Sequence, residues 1–200
     1  MLRRHEKDFL ARKETKYKDR FDAEYDALTK TLVRAKSKLS ALSIEGEKTI
    51  DTMLYKLETY QHGFETLVNK RLEVGTTHDS GLKGAARAAS HRVEKAIQKI
   101  ENDKLYIKLL MLKRHEKDFL LRSDTEYINK FNTMMDDFSP AIASSDMPPN
   151  TRLAMEAALR EYHKAFNAFA DGLIGIGLTP QSGLHGTLRA SVQEAEKLRS

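Results

Sequence analysis

MLRRHEKDFLAR, residues 1–12, returns as MLKRHEKDFLLR at residues 111–122, identical at ten of twelve positions. Thr15, Tyr17 and Phe21 recur in step as Thr125, Tyr127 and Phe131, an offset of 110. A second block repeats at an offset of 102. Gly75, Thr77, Ser80-Gly81-Leu82, Gly84, Arg87-Ala88 and Glu94-Lys95 come back as Gly177, Thr179, Ser182-Gly183-Leu184, Gly186, Arg189-Ala190 and Glu196-Lys197. Tyr60 and Phe64 match Tyr162 and Phe166 at the same offset. The chain is a tandem duplication, copy 1 over about 1–102 and copy 2 over about 103–200, with eight extra residues between the blocks of copy 1. Internal self-similarity constrains the fold before any single residue does.

Backbone punctuation is concentrated. All ten glycines lie within 46–84 or 172–186, and 85–139 lacks proline as well, so the intervening stretches read as helix. Tyr17, Phe21, Tyr25, Leu28, Leu32, Ala35, Leu39 and Leu42 recur at spacings of three and four, as do Met53, Leu57, Tyr60, Phe64 and Leu67, and Ala86, Ala89, Val93, Ala96 and Ile100. No period-two strand pattern occurs, so the fold class is all-α. Each copy reads as three helices: A over about 1–42 and 104–138, B over about 46–74 and 150–174, and C over about 82–100 and 184–200. Glu101-Asn102-Asp103 marks the break between copies, and Thr151, after the prolines at 148 and 149, the cap of the second B. A continuous helix A would be about 60 Å long, roughly B and C end to end. The expected architecture is therefore six helices in two stacked four-helix bundles that share the two long A helices.

Composition narrows function. The 200 residues hold no Cys, which excludes disulfides, thiol nucleophiles and Cys-based metal sites. Lys and Arg number 34 against 29 Asp and Glu, a net charge of +5, but the signs alternate as in Arg3-Arg4-His5-Glu6-Lys7-Asp8. That is a solvated helical surface rather than the basic stripe of a nucleic-acid binder. Enzyme signatures fail in turn. None of the seven histidines has Glu three residues earlier, His5-Glu6-Lys7-Asp8-Phe9 ends in Phe where a zinc motif needs His, and no phosphate loop or nucleophile elbow occurs. No enzyme activity, cofactor or metal is expected. No apolar window spans a membrane and no signal peptide opens the chain. Helix A starts at full strength at Met1 and helix C runs to Ser200 without a stop signal, the pattern of a segment from a longer chain.

Two blocks carry the functional expectation. In Arg-His-Glu-Lys-Asp-Phe-Leu the apolar positions serve packing, and Arg4 with Asp8 and Arg114 with Asp118 make weak i,i+4 pairs. Packing alone leaves unexplained why five polar residues are retained between copies whose other surface positions have drifted. In the shared bundle, Arg4 and Arg114 would face Arg87 and Arg189 of the C helices, with Arg3 nearby. Guanidiniums gathered in a narrow bundle call for an anion, and the planar fork suits a carboxylate. A second, distal site is placed at Tyr60 and Tyr162.

The paired LxRHEKDFLxR motifs, each followed by a TPxSGLxGxxR-like segment, resemble the helical bimodular sensor domain of bacterial methyl-accepting chemotaxis proteins. The resemblance implies a periplasmic module between two transmembrane helices, binding of small organic acids such as citric-acid-cycle intermediates or acetate, and signalling through a receptor homodimer. Copy 1 has Thr77-His78 where copy 2 has the more family-like Thr179-Pro180, so unequal binding by the copies is expected. Sensor histidine kinases carry similar modules, which leaves the output domain open. The remaining alternative is a helical scaffold or protein-interaction rod without a small ligand.

Overall fold

The computed structural model describes residues 1–39 and 44–196. The described residues are helical, without strands: α1 Leu2–Arg12, α2 Lys16–Leu39, α3 Ile44–Val74, α4 Gly81–Ile100, α5 Asp103–Arg122, α6 Glu126–Asp136, α7 Phe138–Ala143, α8 Pro149–Ile176 and α9 Gly183–Glu196. The expected helix ends at 40–42 and 197–200 lie outside the described residues.

Helix A is not continuous in either copy. Lys13 and Ser123 adopt left-handed conformations, φ 59° and 56°, and their N–H groups donate to the carbonyls of Phe9 and Phe119 at 2.7 and 2.8 Å. These are left-handed helix ends. Asp124 then accepts from the Glu126 N–H at 2.9 Å, which starts α6. Aromatic packing shows the consequence. Phe9 and Phe21 both meet Phe64, with ring centroids 5.7 and 4.3 Å away, and Phe119 and Phe131 both meet Phe166 at 6.1 and 4.0 Å. Twelve residues of unbroken helix would separate each pair by about 18 Å. The chain instead folds back, making a hairpin of α1 with α2 and another of α5 with α6. Five polar residues in a row, 12–16 and 122–126, interrupt the apolar stripe at the breaks, but with no glycine or proline there the stretch still reads as one long helix.

The chain divides into two compact units: Met1–Leu72 with Gly175 onward, and Glu73–Ile174. Unit one is a helical bundle of α1, α2, α3 and α9. Lys36 of α2 pairs with Asp51 of α3, Lys56 of α3 donates to the Glu194 carbonyl of α9, and the Leu188 side chain of α9 lies against Gly63 of α3. Unit two is built from α4, α5, α6, α7 and α8. Glu94 of α4 pairs with Lys113 of α5, and Arg92 of α4 with Glu161 of α8. Phe138 and Ile142 of α7 are buried. Neither long helix is shared: α1 and α2 belong to unit one, α5 and α6 to unit two. It is the C helices that change places, since unit one takes α9 from copy 2 and unit two takes α4 from copy 1.

Local chemistry fixes the turns. Between B and C, Thr77 and Thr179 donate through their N–H groups to the Ser80 and Ser182 hydroxyls at 2.9 and 3.0 Å. Gly75 and Gly177 hold φ of 109° and 117°, and a Cβ on either would come within 2.1 Å of a backbone oxygen, so only glycine fits. The α4–α5 turn lies at Glu101 and Asn102, as the Glu-Asn-Asp sequence predicts, and the Asn102 side chain caps α5 through the Leu105 N–H at 3.1 Å. Helix α8 begins at Pro149, ahead of the cap expected at Thr151, because proline suits a first helical position where its missing N–H is not needed.

Candidate functional site

The retained polar residues of the repeated block separate by task. Glu6 is buried, 4% exposed, and accepts a hydrogen bond from the Tyr60 hydroxyl of α3. Arg3 donates to both Glu6 carboxylate oxygens, at 2.6 and 2.7 Å. Unit two repeats the core of this arrangement, with the Tyr162 hydroxyl donating to Glu116 at 2.5 Å. Burial raises the Glu116 carboxyl above its ordinary range, against the stabilising bond from Tyr162. Burial beside these carboxylates raises both tyrosines well above the ordinary phenol value, so they remain neutral donors. The retained Glu thus joins helix A to helix B, and Tyr60 lies behind the arginine block rather than at a separate distal site. Tyr162 occupies the same place in its own unit.

The four arginines divide between the two units. Arg4 and Arg114 point outward, 75% and 70% exposed, toward Asp8 at 3.9 Å and Asp118 at 3.7 Å. Exchange of the C helices puts Arg189 in unit one with Arg4, and Arg87 in unit two with Arg114. What unit one does bring together is Arg3 with Arg189, on the walls of a cleft of about 200 Å³ between α1 and the start of α9. Glu6, Lys7 and Leu10 complete the α1 wall, and Pro180, His185 and Leu188 the other. Behind His185 stands Arg71 of α3, its Nη2 3.4 Å from the imidazole Nε2. Arg71 is half-buried, and among the described residues no carboxylate pairs with it. Burial lowers its pKa. Burial and Arg71 together hold His185 below the ordinary imidazole value, with Glu6 acting in the opposite direction.

Charge around the cleft is unbalanced. Arg3, Lys7, Arg189 and Arg71 are cationic, and Glu6 is the one acidic side chain on the walls. A half-buried guanidinium without a counter-ion is costly, and an entering anion would relieve that cost. At the corresponding positions of unit two, Arg71 has no counterpart and two of the cations, Arg87 and Lys113, are paired. Leu173 stands where copy 2's offset would place an Arg71, and Lys83 where unit one has His185. Asp79 meets Arg87 at 3.0 Å and His78 at 2.7 Å, and Lys113 pairs with Glu94 at 2.8 Å.

Comparison with protein-family models, with curated proteins and with solved structures finds no match. The site therefore rests on its own chemistry.

Sequence reasoning missed Lys7, Arg71 and His185. Lys7 is retained as Lys117 within the repeated block, but an anion site drawn from the arginines alone leaves it out. Arg71 and His185 carry the opposite signal: each departs from its counterpart in the other copy, Leu173 and Lys83. A search for retained residues discards such positions. Among the described residues no group of His, Asp and Glu is arranged to hold a metal ion, and no helix is long and apolar enough to cross a membrane.

Proposed function

We propose that the chain is a ligand-sensing module for small organic acids, with the carboxylate bound in the unit-one cleft by Arg189, Lys7 and the Arg71–His185 pair. The observation that carries this reading is Arg71, a half-buried cation that faces an imidazole instead of an acid. Arg3 is committed to Glu6 and shapes the wall; Arg189 is free among the described residues to make a forked pair with a carboxylate. A volume of about 200 Å³ suits an acid of a few carbons.

The motif resemblance supplies the context of the proposal: a periplasmic sensor of a chemoreceptor, tethered through flanking transmembrane helices, signalling as a homodimer. In the bimodular reading each helical unit is one module, and the excess of cations around the unit-one cleft supports that cleft as the short-acid site. The test is calorimetric titration and thermal melting with C2–C6 mono- and dicarboxylates, amines and neutral sugars. Acid at a hundred times its dissociation constant should stabilise the protein by about 2.7 kcal/mol. A melting curve unmoved by any carboxylate at millimolar concentration would sink the proposal and leave the scaffold reading standing.

A further inference from the structure

Unit two holds a larger cavity of a different character, about 530 Å³, between the C-terminal half of α4 and the first turns of α8. Its floor is apolar: Met155 is buried, Ala96 and Ile100 are half-buried, and Ala154 lies at the edge. Its rim is cationic. Arg92, Lys95 and Lys99 follow one another at spacings of three and four along α4, so they share one helix face. Arg92 is committed to Glu161 of α8 at 2.6 Å. Lys95 and Lys99 have no ion-pair partner among the described residues, and no carboxylate lines the cavity.

This arrangement is disfavoured on its own terms. Like charges four residues apart on a helix repel, and here they overhang apolar surface that water must cover. The other copy differs here at the sequence level. Glu194 stands in the place of Arg92 and Leu198 in the place of Ala96, so the repeat carries a charge of the opposite sign and a larger apolar side chain there. Copy 1 has the small residue and the unbroken cationic row.

We infer that this cavity binds a medium-chain aliphatic carboxylate, its head group held by Lys95 and Lys99 and its chain laid over Ala96, Ile100, Ala154 and Met155. A short acid would satisfy the lysines and leave the floor wet; an apolar tail satisfies both. The site is independent of the unit-one cleft, because its cations and its floor all belong to unit two.

The test titrates the whole chain calorimetrically with acetate, butyrate, hexanoate and octanoate. Affinity should rise by about two- to fourfold for each added methylene, the factor expected for burying it. The double variant Lys95→Gln/Lys99→Gln, both exposed positions, should weaken octanoate at least about tenfold. Ala154→Phe, which fills the cavity edge, should weaken it similarly, with far-UV circular dichroism confirming the fold. Arg160→Ala, removing an exposed cation elsewhere in unit two, should leave octanoate affinity unchanged. Affinity independent of chain length, octylamine binding as tightly as octanoate, or an unchanged double variant would each overturn the inference. Loss of octanoate binding in Arg71→Leu would place it in unit one, and would overturn this site while leaving the unit-one proposal standing.

Discussion

Glu6 of α1 accepts a hydrogen bond from the Tyr60 hydroxyl of α3, and the duplicated copy makes the same bond from Tyr162 to Glu116. A carboxylate buried in a helical bundle is costly unless donors meet it. The two copies solve the problem differently at one point: Arg3 covers Glu6, whereas Lys113, at the equivalent position, is drawn to Glu94. Glu116 therefore leans more heavily on its tyrosine.

Tyr162→Phe should accordingly destabilise unit two by about 1–3 kcal/mol, the cost of stranding a buried polar group. The loss should depend on pH. The folded pKa of Glu116 is raised above its unfolded value of 4.5, so the folded chain holds a proton that the unfolded chain has released. Stability falls as pH rises through that window, and removing the tyrosine hydroxyl widens it. Denaturant unfolding at pH 5 and pH 8 should show the larger penalty at pH 8. An equal penalty at both would mean that the hydroxyl does not bear on the Glu116 charge.

The cleft predicts an uneven arginine scan. Arg189→Ala should weaken carboxylate binding about ten- to a hundredfold, the loss of one charge-assisted contact, and Arg71→Leu should weaken it by less, since it removes the cation behind His185. Arg4→Ala and Arg114→Ala should leave affinity unchanged, because their exposed side chains face Asp8 and Asp118. Titration calorimetry on the four variants decides. Equal losses in all four would restore a convergent four-arginine pocket and discard the cleft.

Proton uptake should accompany binding. His185 is held below its ordinary value of 6.5 by burial and Arg71, with Glu6 opposing, so it is neutral at neutral pH. A bound carboxylate beside Arg189 and Lys7 favours the imidazolium, and affinity should therefore rise as pH falls from 7.5 to 6, by at most about tenfold per unit. Without ligand the sign is opposite: the unfolded chain binds the proton first, so stability falls as pH drops below 6.5. Titrations in buffers of different ionisation enthalpy measure the uptake, and His185→Gln should abolish it. A flat pH profile in the parent protein would remove His185 from the site.

The helical class, the duplication and the B–C turns were legible because each has a local signal: apolar period, repeated letters, glycine with serine. Phe9, Phe21, Phe64 and their counterparts were also rightly placed on apolar faces. The breaks at Lys13 and Ser123 escape a reading by punctuation, since neither carries the glycine that usually ends a helix; the only local sign is a run of five polar residues, 12–16 and 122–126, that interrupts the apolar stripe. Exchange of α4 and α9 between units was invisible for a different reason. It depends on which of two duplicated partners a C helix meets, and the apolar positions that make the contact follow the same pattern in both copies. The arginine site inherited that error: Arg3 and Arg189 share a cleft, while Arg87 and Arg114 fall in the other unit.

Those two breaks supply the sharpest test of the fold. At Ser123, φ is 56°, where a Cβ costs about 1–2 kcal/mol relative to glycine. Part of that relief is offset by the greater freedom glycine gives the unfolded chain. Ser123→Gly should therefore stabilise by roughly 0.5–1 kcal/mol, and Lys13→Gly, at φ 59°, by a similar amount. In an uninterrupted helix the sign reverses, because glycine in a helix interior costs about 1 kcal/mol relative to alanine. Ser123→Ala sharpens the contrast: alanine would favour a continuous helix and gains nothing at a left-handed turn. Denaturant midpoints of Ser123→Gly and Ser123→Ala, measured side by side, should rank glycine above the parent and alanine no higher than it. The opposite ranking would restore the long helix A and, with it, a bundle in which Arg4 and Arg114 could meet.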